Sequence, residues 1–479
     1  MNYRVVCNIL GKVLLAEAIL LLLPLAAGLW YDESIMPFVL TMLPLAVLGG
    51  GLSLVKPTHN DLFAREGFVV VGLSWMLMSA FGALPFVISG DIPHYIDALF
   101  ETVSGFTTTG ASILTDVESM SRGCMFWRLF THWVGGMGVL VFIAAILPIS
   151  GEHYIHVMRA EVPGPTVSKL VPKARKTARI LYLIYLVLTL LEMAFLTAGG
   201  MSFYEALLHA CATAGTGGFS TRGASIGAFD SVYIDVVIST FMLLFGCNFN
   251  LFYFILLGQG AAVFKSEELR VFLAVIAAAV LTIALNIRDS VGGFAQGLRY
   301  AYFQVTTIIS TTGFGTCDFD KWPELSRWIL VLLMFVGGCA GSTAGGLKVS
   351  RVIILFKSYL YELKQLILPT RVKRIWFEGK AVSDQTVRSV LVYFQAYMFI
   401  IGGSVLFLTL DGRDLVTNLT ASIACISNIG PGLSLVGPAG NYAFFSVPSK
   451  LILIFEMLLG RLEIFPVLFL FSPSVWRRR

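Results

Sequence analysis

The sequence predicts an all-α membrane protein, with four tandem span–half-helix–span units preceded by two extra transmembrane helices. Three observations carry this: a composition unsuited to water, ten apolar stretches of spanning length, and a glycine-centred pattern that recurs four times. Hydrophobic residues make up 57% of the 479 and charged residues 13%, and the mean hydropathy is +0.81. A soluble domain carries roughly 25% charged residues, so most of this surface is built to face lipid. The length is therefore counted in spans of about 20 apolar residues.

Apolar stretches fall near 9–30, 36–55, 67–88, 125–149, 180–198, 232–264, 269–287, 325–357, 387–410 and 448–471. Arg4 and Lys12 precede the first stretch in the order of a signal peptide. A second apolar stretch follows at once, so the first is expected to be retained as a span. Trp30, Trp75, Trp127, Trp133, Trp322, Trp328 and Trp476 are expected mostly at interfaces, as an aromatic belt. Loops of one parity are basic: 159–179 holds Arg159, Lys169, Lys173, Arg175, Lys176 and Arg179, and 357–388 holds seven Lys and Arg residues. Loops of the other parity carry Asp32, Glu33, Asp91, Asp97, Glu101, Asp116, Glu118, Asp318, Asp320, Asp411 and Asp414. The positive-inside rule then puts the basic loops and both termini in the cytoplasm. The seven cysteines are scattered and contain no CxxC pair, so neither a disulfide framework nor a zinc site is indicated.

Four less apolar segments, 93–115, 202–222, 296–316 and 414–436, lie between spans on the outer side. Each begins like a helix and ends in a small-residue run: 106–112 (FTTTGAS), 214–220 (AGTGGFS), 310–315 (STTGFG) and 427–432 (SNIGPG). Their central glycines lie 108, 95 and 117 residues apart. The chain thus divides into an extension (1–60) and four repeats (61–160, 161–265, 266–365, 366–479).

Non-helical backbone at membrane depth is tolerated only where it is buried in protein or lines an aqueous cavity. Four equivalent loops entering from one face suggest the second case, with span–pore-helix–span repeats around a pseudo-fourfold pore. Glycine permits the backbone angles that turn carbonyls toward an axis, and rings of carbonyls replace the hydration shell in potassium filters. The candidate ion-binding residues are Thr108, Thr109, Gly110, Thr216, Gly217, Gly218, Thr311, Thr312, Gly313, Asn428, Ile429 and Gly430. The four runs contain no carboxylate of the kind a sodium or proton relay would use. The competing class is a sodium-coupled secondary transporter of an organic solute, which would show inverted two-part symmetry. A membrane enzyme would need clustered Asp, His or Cys near one face, which is missing.

A second glycine cluster, 337–348 (GGCAGSTAGGLK), lies inside an apolar stretch. It approaches the phosphate-binding GxxxxGK[ST] pattern, but Leu347 stands where the lysine is needed and no strand precedes it. Packing through small residues is one reading. So many glycines weaken a helix, which favours the other: a broken segment beneath the four loops, able to serve as a gate. Its candidate residues are Gly337, Gly338, Gly341, Ser342, Thr343, Gly345, Gly346 and Lys348. Arg461 interrupts the last apolar stretch, either paired with Glu456 or Glu463 or set beside the pore as a barrier to cations. His153 and His156 are spaced HxxH without a third ligand, and His209 is expected to be packed or hydrogen-bonded.

The runs 104–110 (SGFTTTG), Trp127-Arg128, 132–138 (HWVGGMG), 217–221 (GGFST), 310–315, 337–346, 428–432 and 457–465 (MLLGRLEIF) together resemble the Trk/Ktr/HKT superfamily of potassium transporters, within it the TrkH group. The resemblance runs from the N-terminal span pair to the last helix. It implies potassium as the transported ion, no organic cofactor, no enzymatic activity, a homodimer in the bacterial inner membrane, and control by a cytosolic nucleotide-binding ring such as TrkA. It matches the family's filter glycines to Gly110, Gly218 (or its neighbour Gly217), Gly313 and Gly430. It makes 337–346 the intramembrane gating loop, with Arg461 beside it. The fourth run has Asn-Ile-Gly where the first and third have Thr-Thr-Gly, and the second, Thr-Gly-Gly, leaves its register open.

Overall fold

The computed structural model describes residues 1–56, 64–138, 174–367 and 374–476. His153, His156, most of the first basic loop, residues 368–373 and the terminal arginines lie outside these. The described chain is helical apart from loops and one short antiparallel hairpin, Trp376–Phe377 with Lys380–Ala381. The N-terminal extension is Tyr3–Leu20, running on as Leu22–Trp30, and Met36–Ser53. Its helices cross at glycines: a Cβ on Gly11 would lie 2.4 Å from the Ser53 nitrogen, the close approach that small residues allow between membrane helices.

Four repeats follow, each an outer helix, a short pore helix and an inner helix. The outer helices are Ala64–Gly82 (extended by Leu84–Ser89), Ala174–Ala198, Glu267–Ile287 and Asp384–Leu408. The pore helices are Tyr95–Phe106, Phe203–Gly215, Phe294–Ile309 and Leu415–Ile426. With 12 to 16 residues at 1.5 Å per residue, they reach only part of the way across a bilayer. Side chains cap two of them: Ser202 accepts from Glu205 N and Asp414 from Thr417 N. At Asp414 desolvation acts upward, but the hydrogen bonds from the Thr417 hydroxyl and N–H and the Ser434 hydroxyl together outweigh it and hold the carboxyl below the usual range.

Six of the ten expected spans are helices long and apolar enough to cross a membrane: Tyr3–Trp30, Met36–Ser53, Arg65–Ser89, Ala178–Ala198, Glu267–Ile287 and Asp384–Asp411. The other four, expected over 125–149, 232–264, 325–357 and 448–471, are the inner helices, and the described residues correct the expectation of continuity. Arg122–Gly136 ends at Met137, before Gly138 at φ +83°. Val232–Gly246 turns by 92° into Phe249–Leu256. Glu324–Val336 stops at Gly337 and resumes as Val349–Ile367. Val447–Arg461 gives way to Phe465–Leu470 across Glu463 and Ile464, both at φ 61°.

The breaks satisfy one another's backbone. Gly135 and Gly136 carbonyls accept from Arg461. The Gly246 carbonyl accepts from Cys339 N at 2.9 Å and that of Phe245 from Thr343 N at 3.4 Å. A break at membrane depth is stable only when its freed groups find protein partners, and here the four breaks form one hydrogen-bonded layer.

The tryptophans expected at the interfaces differ in burial. Trp30 and Trp328 are exposed, whereas Trp75, Trp127 and Trp322 are buried. The Trp127 indole donates to Gly82 O at 2.9 Å and meets Phe106 edge to face, locking outer helix, pore helix and inner helix of the first repeat together.

Candidate functional site

All four pore helices end in the same way. At the end of each a residue sits in the left-handed region: Thr108 at φ 56°, Thr216 at 56°, Thr311 at 57° and Asn428 at 54°. Its N–H bonds back three residues, and the next N–H bonds back five: Thr109 to Ser104 O (2.8 Å), Gly217 to Ala212 O (2.9 Å), Thr312 to Thr307 O (2.8 Å) and Ile429 to Ala424 O (2.9 Å). This pairing is the Schellman motif, usually built on glycine. A non-glycine residue there costs roughly 1–2 kcal/mol, so the packing around it must hold the turn in place.

Two residues on, Gly110, Gly218, Gly313 and Gly430 have φ of +79°, +78°, +87° and +92°. The register of the second run is thereby resolved: Gly218, not Gly217, is the counterpart of Gly110. Each glycine abuts the next repeat. A Cβ would lie 2.0 Å from Gly217 O at Gly110, 2.1 Å from Thr312 O at Gly218, 2.0 Å from Ile429 O at Gly313, and 2.7 Å from Thr109 O at Gly430. The contacts run from repeat 1 to 2, 3, 4 and back to 1, which closes a ring of backbone. Eight of the twelve residues singled out from the sequence make these contacts, and the other four, Thr108, Thr216, Thr311 and Asn428, form the turns that lead into them.

Side chains brace the ring from behind. The Thr107 and Thr109 hydroxyls are 2.8 Å apart, as are those of Ser310 and Thr312. Asn428 Nδ2 donates to Thr109 Oγ1 at 3.0 Å and Met457 O at 2.9 Å, joining the fourth loop to the first. The Tyr442 hydroxyl donates to Gly430 O at 2.6 Å.

Two braces were not legible in the sequence. Glu101, expected on an outer loop, is buried and pairs with buried Arg128 at 2.6 Å. Arg128 also donates to Ser220 O at 3.0 Å and Ser112 Oγ at 3.2 Å and lies 3.7 Å over the Phe219 ring. Glu101 accepts from Ile113 N at 2.9 Å. The pair thus pins the outgoing strands of the first and second loops. His132 lies between the same loops, with Nδ1 2.8 Å from Gly105 O and Nε2 accepting from Phe219 N at 3.2 Å. Those partners require the neutral tautomer protonated on Nδ1. His209 is hydrogen-bonded to Glu205 O and Ser220 Oγ, as expected, and no cluster among the described residues has three or more metal-ligating side chains.

Outside the ring opens a cavity of about 160 Å³ whose lining includes all four glycines, Arg128 and Arg222. Against the other side of the ring lies the segment 337–348. Gly337, Gly341, Gly346 and Lys348 have φ of 70° to 75°, so the segment is non-helical throughout. It touches the deepest point of the ring: Gly345 N donates to Thr311 Oγ1 at 2.6 Å, and a Cβ on Gly345 would lie 2.2 Å from Ser427 O. Gly338 accepts from Val349 N at 3.0 Å and Ser342 Oγ donates to Cys339 O at 2.6 Å. The buried Lys348 ammonium caps Ala344 O. Arg461 donates to Thr343 O at 2.7 Å and Gly135 O at 2.6 Å. The carboxylates near it in sequence are engaged elsewhere, Glu463 with Arg351 and Glu456 with Ser422. The element preceding the glycine cluster is a helix, which removes the phosphate-loop reading.

Four re-entrant half-helices, closed by identical turns into one backbone ring and surrounded by spanning helices, define a multi-pass membrane protein of the four-repeat pore-loop class. The model of the TrkH family, described as cation transport proteins, matches residues 35–478. Curated relatives include the Trk system potassium uptake protein TrkH of Escherichia coli K12, 36% identical with both chains covered in full, and TrkG of the same strain, 33% identical with 99% of each covered. The crystal structure of the potassium transporter TrkH from Vibrio parahaemolyticus superposes with a TM-score of 0.89, at 32% identity over 100% of both chains. The chain belongs to the TrkH family and is a membrane transport protein, not an enzyme.

Proposed function

We propose that this protein takes up potassium through the backbone ring, with 110, 218, 313 and 430 as the filter glycines and 337–348 as an intramembrane gate. The observation that supports the reading is the closed cycle of loop contacts, in which the carbonyl oxygens of Thr109, Gly217, Thr312 and Ile429 each lie against the glycine of a neighbouring loop. Carbonyl oxygens in a ring substitute for the hydration shell of a potassium ion. The pore helices, converging with their C-terminal ends on that ring, add partial negative charge. A potential of 100 mV supplies roughly 2.3 kcal/mol per charge, enough for about 50-fold accumulation without another fuel.

Below the ring, 337–348 occupies the path inward and Arg461 tethers it, so conduction requires the segment to leave Thr311 and Ser427. The chain works as a homodimer in the inner membrane with both termini cytoplasmic, and a TrkA-like nucleotide-binding ring docks on its basic inner loops. The sodium-coupled alternative is disfavoured by the fourfold cycle, since inverted two-part symmetry would pair the units and not order them in a ring.

The test is rubidium-86 uptake into proteoliposomes containing the purified full chain. Uptake that potassium blocks far better than sodium or lithium is the expected result; equal block by sodium rejects the potassium assignment.

A further inference from the structure

The cysteines are scattered along the sequence, yet the fold brings two of them together at the gate segment. Cys247 stands at the elbow where Val232–Gly246 turns by 92° into Phe249–Leu256. Cys339 is the third residue of the intramembrane segment. The Cys339 thiol sits against the Cys247 thiol and the Asn248 amide, and both thiols are free. Backbone bonds hold the two strands side by side: Cys339 N to Gly246 O at 2.9 Å and Phe249 N to Gly341 O at 3.1 Å. Thr343 adds its hydroxyl on Phe245 O at 3.2 Å, and a Cβ on Gly341 would meet Asn248 Oδ1 at 3.2 Å. The segment is thus zipped to the elbow along most of its first half.

We propose that Cys247 and Cys339 are an oxidisable pair whose disulfide fastens the intramembrane segment to the elbow and arrests ion flow. The proposal rests on the gate reading above. If the segment leaves the ring to open the path, its zipper to the elbow must part, and a covalent bond at residue 339 forbids that. Two side-by-side residues suit the roughly 4.4–6.8 Å Cα separation that a disulfide spans.

The chemistry requires an oxidant small enough to reach a partly buried thiol, and hydrogen peroxide is one. Cys339 is buried whereas Cys247 is partly exposed, so the Cys247 sulfur reacts first. It attacks one peroxide oxygen, the O–O bond breaks, and a sulfenic acid and one water result. The Cys339 sulfur then attacks the Cys247 sulfur, the S–O bond breaks, and its hydroxyl leaves as a second water with the Cys339 proton. In sum two thiols and one peroxide give one disulfide and two waters.

The experiment treats the full chain in proteoliposomes with hydrogen peroxide, then dithiothreitol, and follows rubidium uptake beside mass spectrometry of the peptides carrying residues 247 and 339. The expected result is a 247–339 linked peptide, uptake reduced at least fivefold, and recovery of both on reduction. Cys247→Ser, at the partly exposed position outside the gate segment, should fold, transport and lose the peroxide response. Failure of the linked peptide to form, or its formation with uptake unchanged, overturns the proposal. A variant lacking 341–345 separates this from failure of the gate reading: raised uptake there, with oxidised wild type unaffected, rejects only the thiol lock. Unraised uptake in a folded deletion variant rejects the gate itself.

Discussion

Replacing Gly110 by serine tests the ring at one of its tightest contacts. The residue sits at φ +79°, and a Cβ built there lies 2.0 Å from Gly217 O, where real contacts essentially never fall below 3.0 Å. The first and second loops must therefore separate by at least about 1 Å, or Gly110 must abandon its conformation. Left-handed backbone alone costs an L-residue roughly 1–2 kcal/mol. If that strain falls on the site that fits potassium, discrimination against sodium drops by a factor of about 5–30. The assay is the ratio of sodium to potassium concentrations that halve rubidium uptake. Gly223→Ser is the matched control, because Gly223 lines the same outer cavity with no heavy atom near its Cβ position and no positive φ. An unchanged ratio in folded, active Gly110→Ser would refute the reasoning.

Other outcomes follow from the same geometry. Gly430→Ala, whose nearest oxygen is 2.7 Å away, should disturb selectivity less than Gly313→Ala, with 2.0 Å, in the same competition assay. Arg461→Ala frees the carbonyls of Thr343, Gly135 and Gly136; hydrogen bonds from charged donors contribute about 1.5–3 kcal/mol each, so basal uptake should rise at least several-fold. Glu101→Gln leaves Arg128 a buried charge without its counterion. Breaking such a pair costs about 3–5 kcal/mol, to be read as a clear fall in the thermal midpoint in detergent. Unaltered stability would show the pair to be dispensable.

Much of this architecture was legible because it repeats. Four small-residue runs at matching positions between apolar stretches identified the loops, and the glycine density of 337–346 marked a segment that could not stay helical. The breaks in the other three inner helices escaped, because a hydropathy window averages across them. Their local signals are faint: Asn248 as a helix cap, the Gly135-Gly136 pair, and Pro466 one residue into a new helix. Glu101 and Arg128 were hidden for a different reason. A lone carboxylate between spans reads as an outer-loop charge, and only the fold reveals that the pore helix turns it inward against an arginine 27 residues away. The register of the second loop needed backbone angles, since Gly217 and Gly218 are equivalent in sequence but only Gly218 has positive φ. The Cys247–Cys339 contact likewise joins two breaks that lie far apart in the chain.

The most direct measurement of the central claim is the position of rubidium in crystals of the full chain soaked in its chloride, located by anomalous scattering. The account predicts a peak inside the ring, within coordination distance of the Thr109, Gly217, Thr312 and Ile429 carbonyls, and its loss when sodium replaces rubidium. Ordered rubidium elsewhere in the membrane region, with none in the ring, would contradict it.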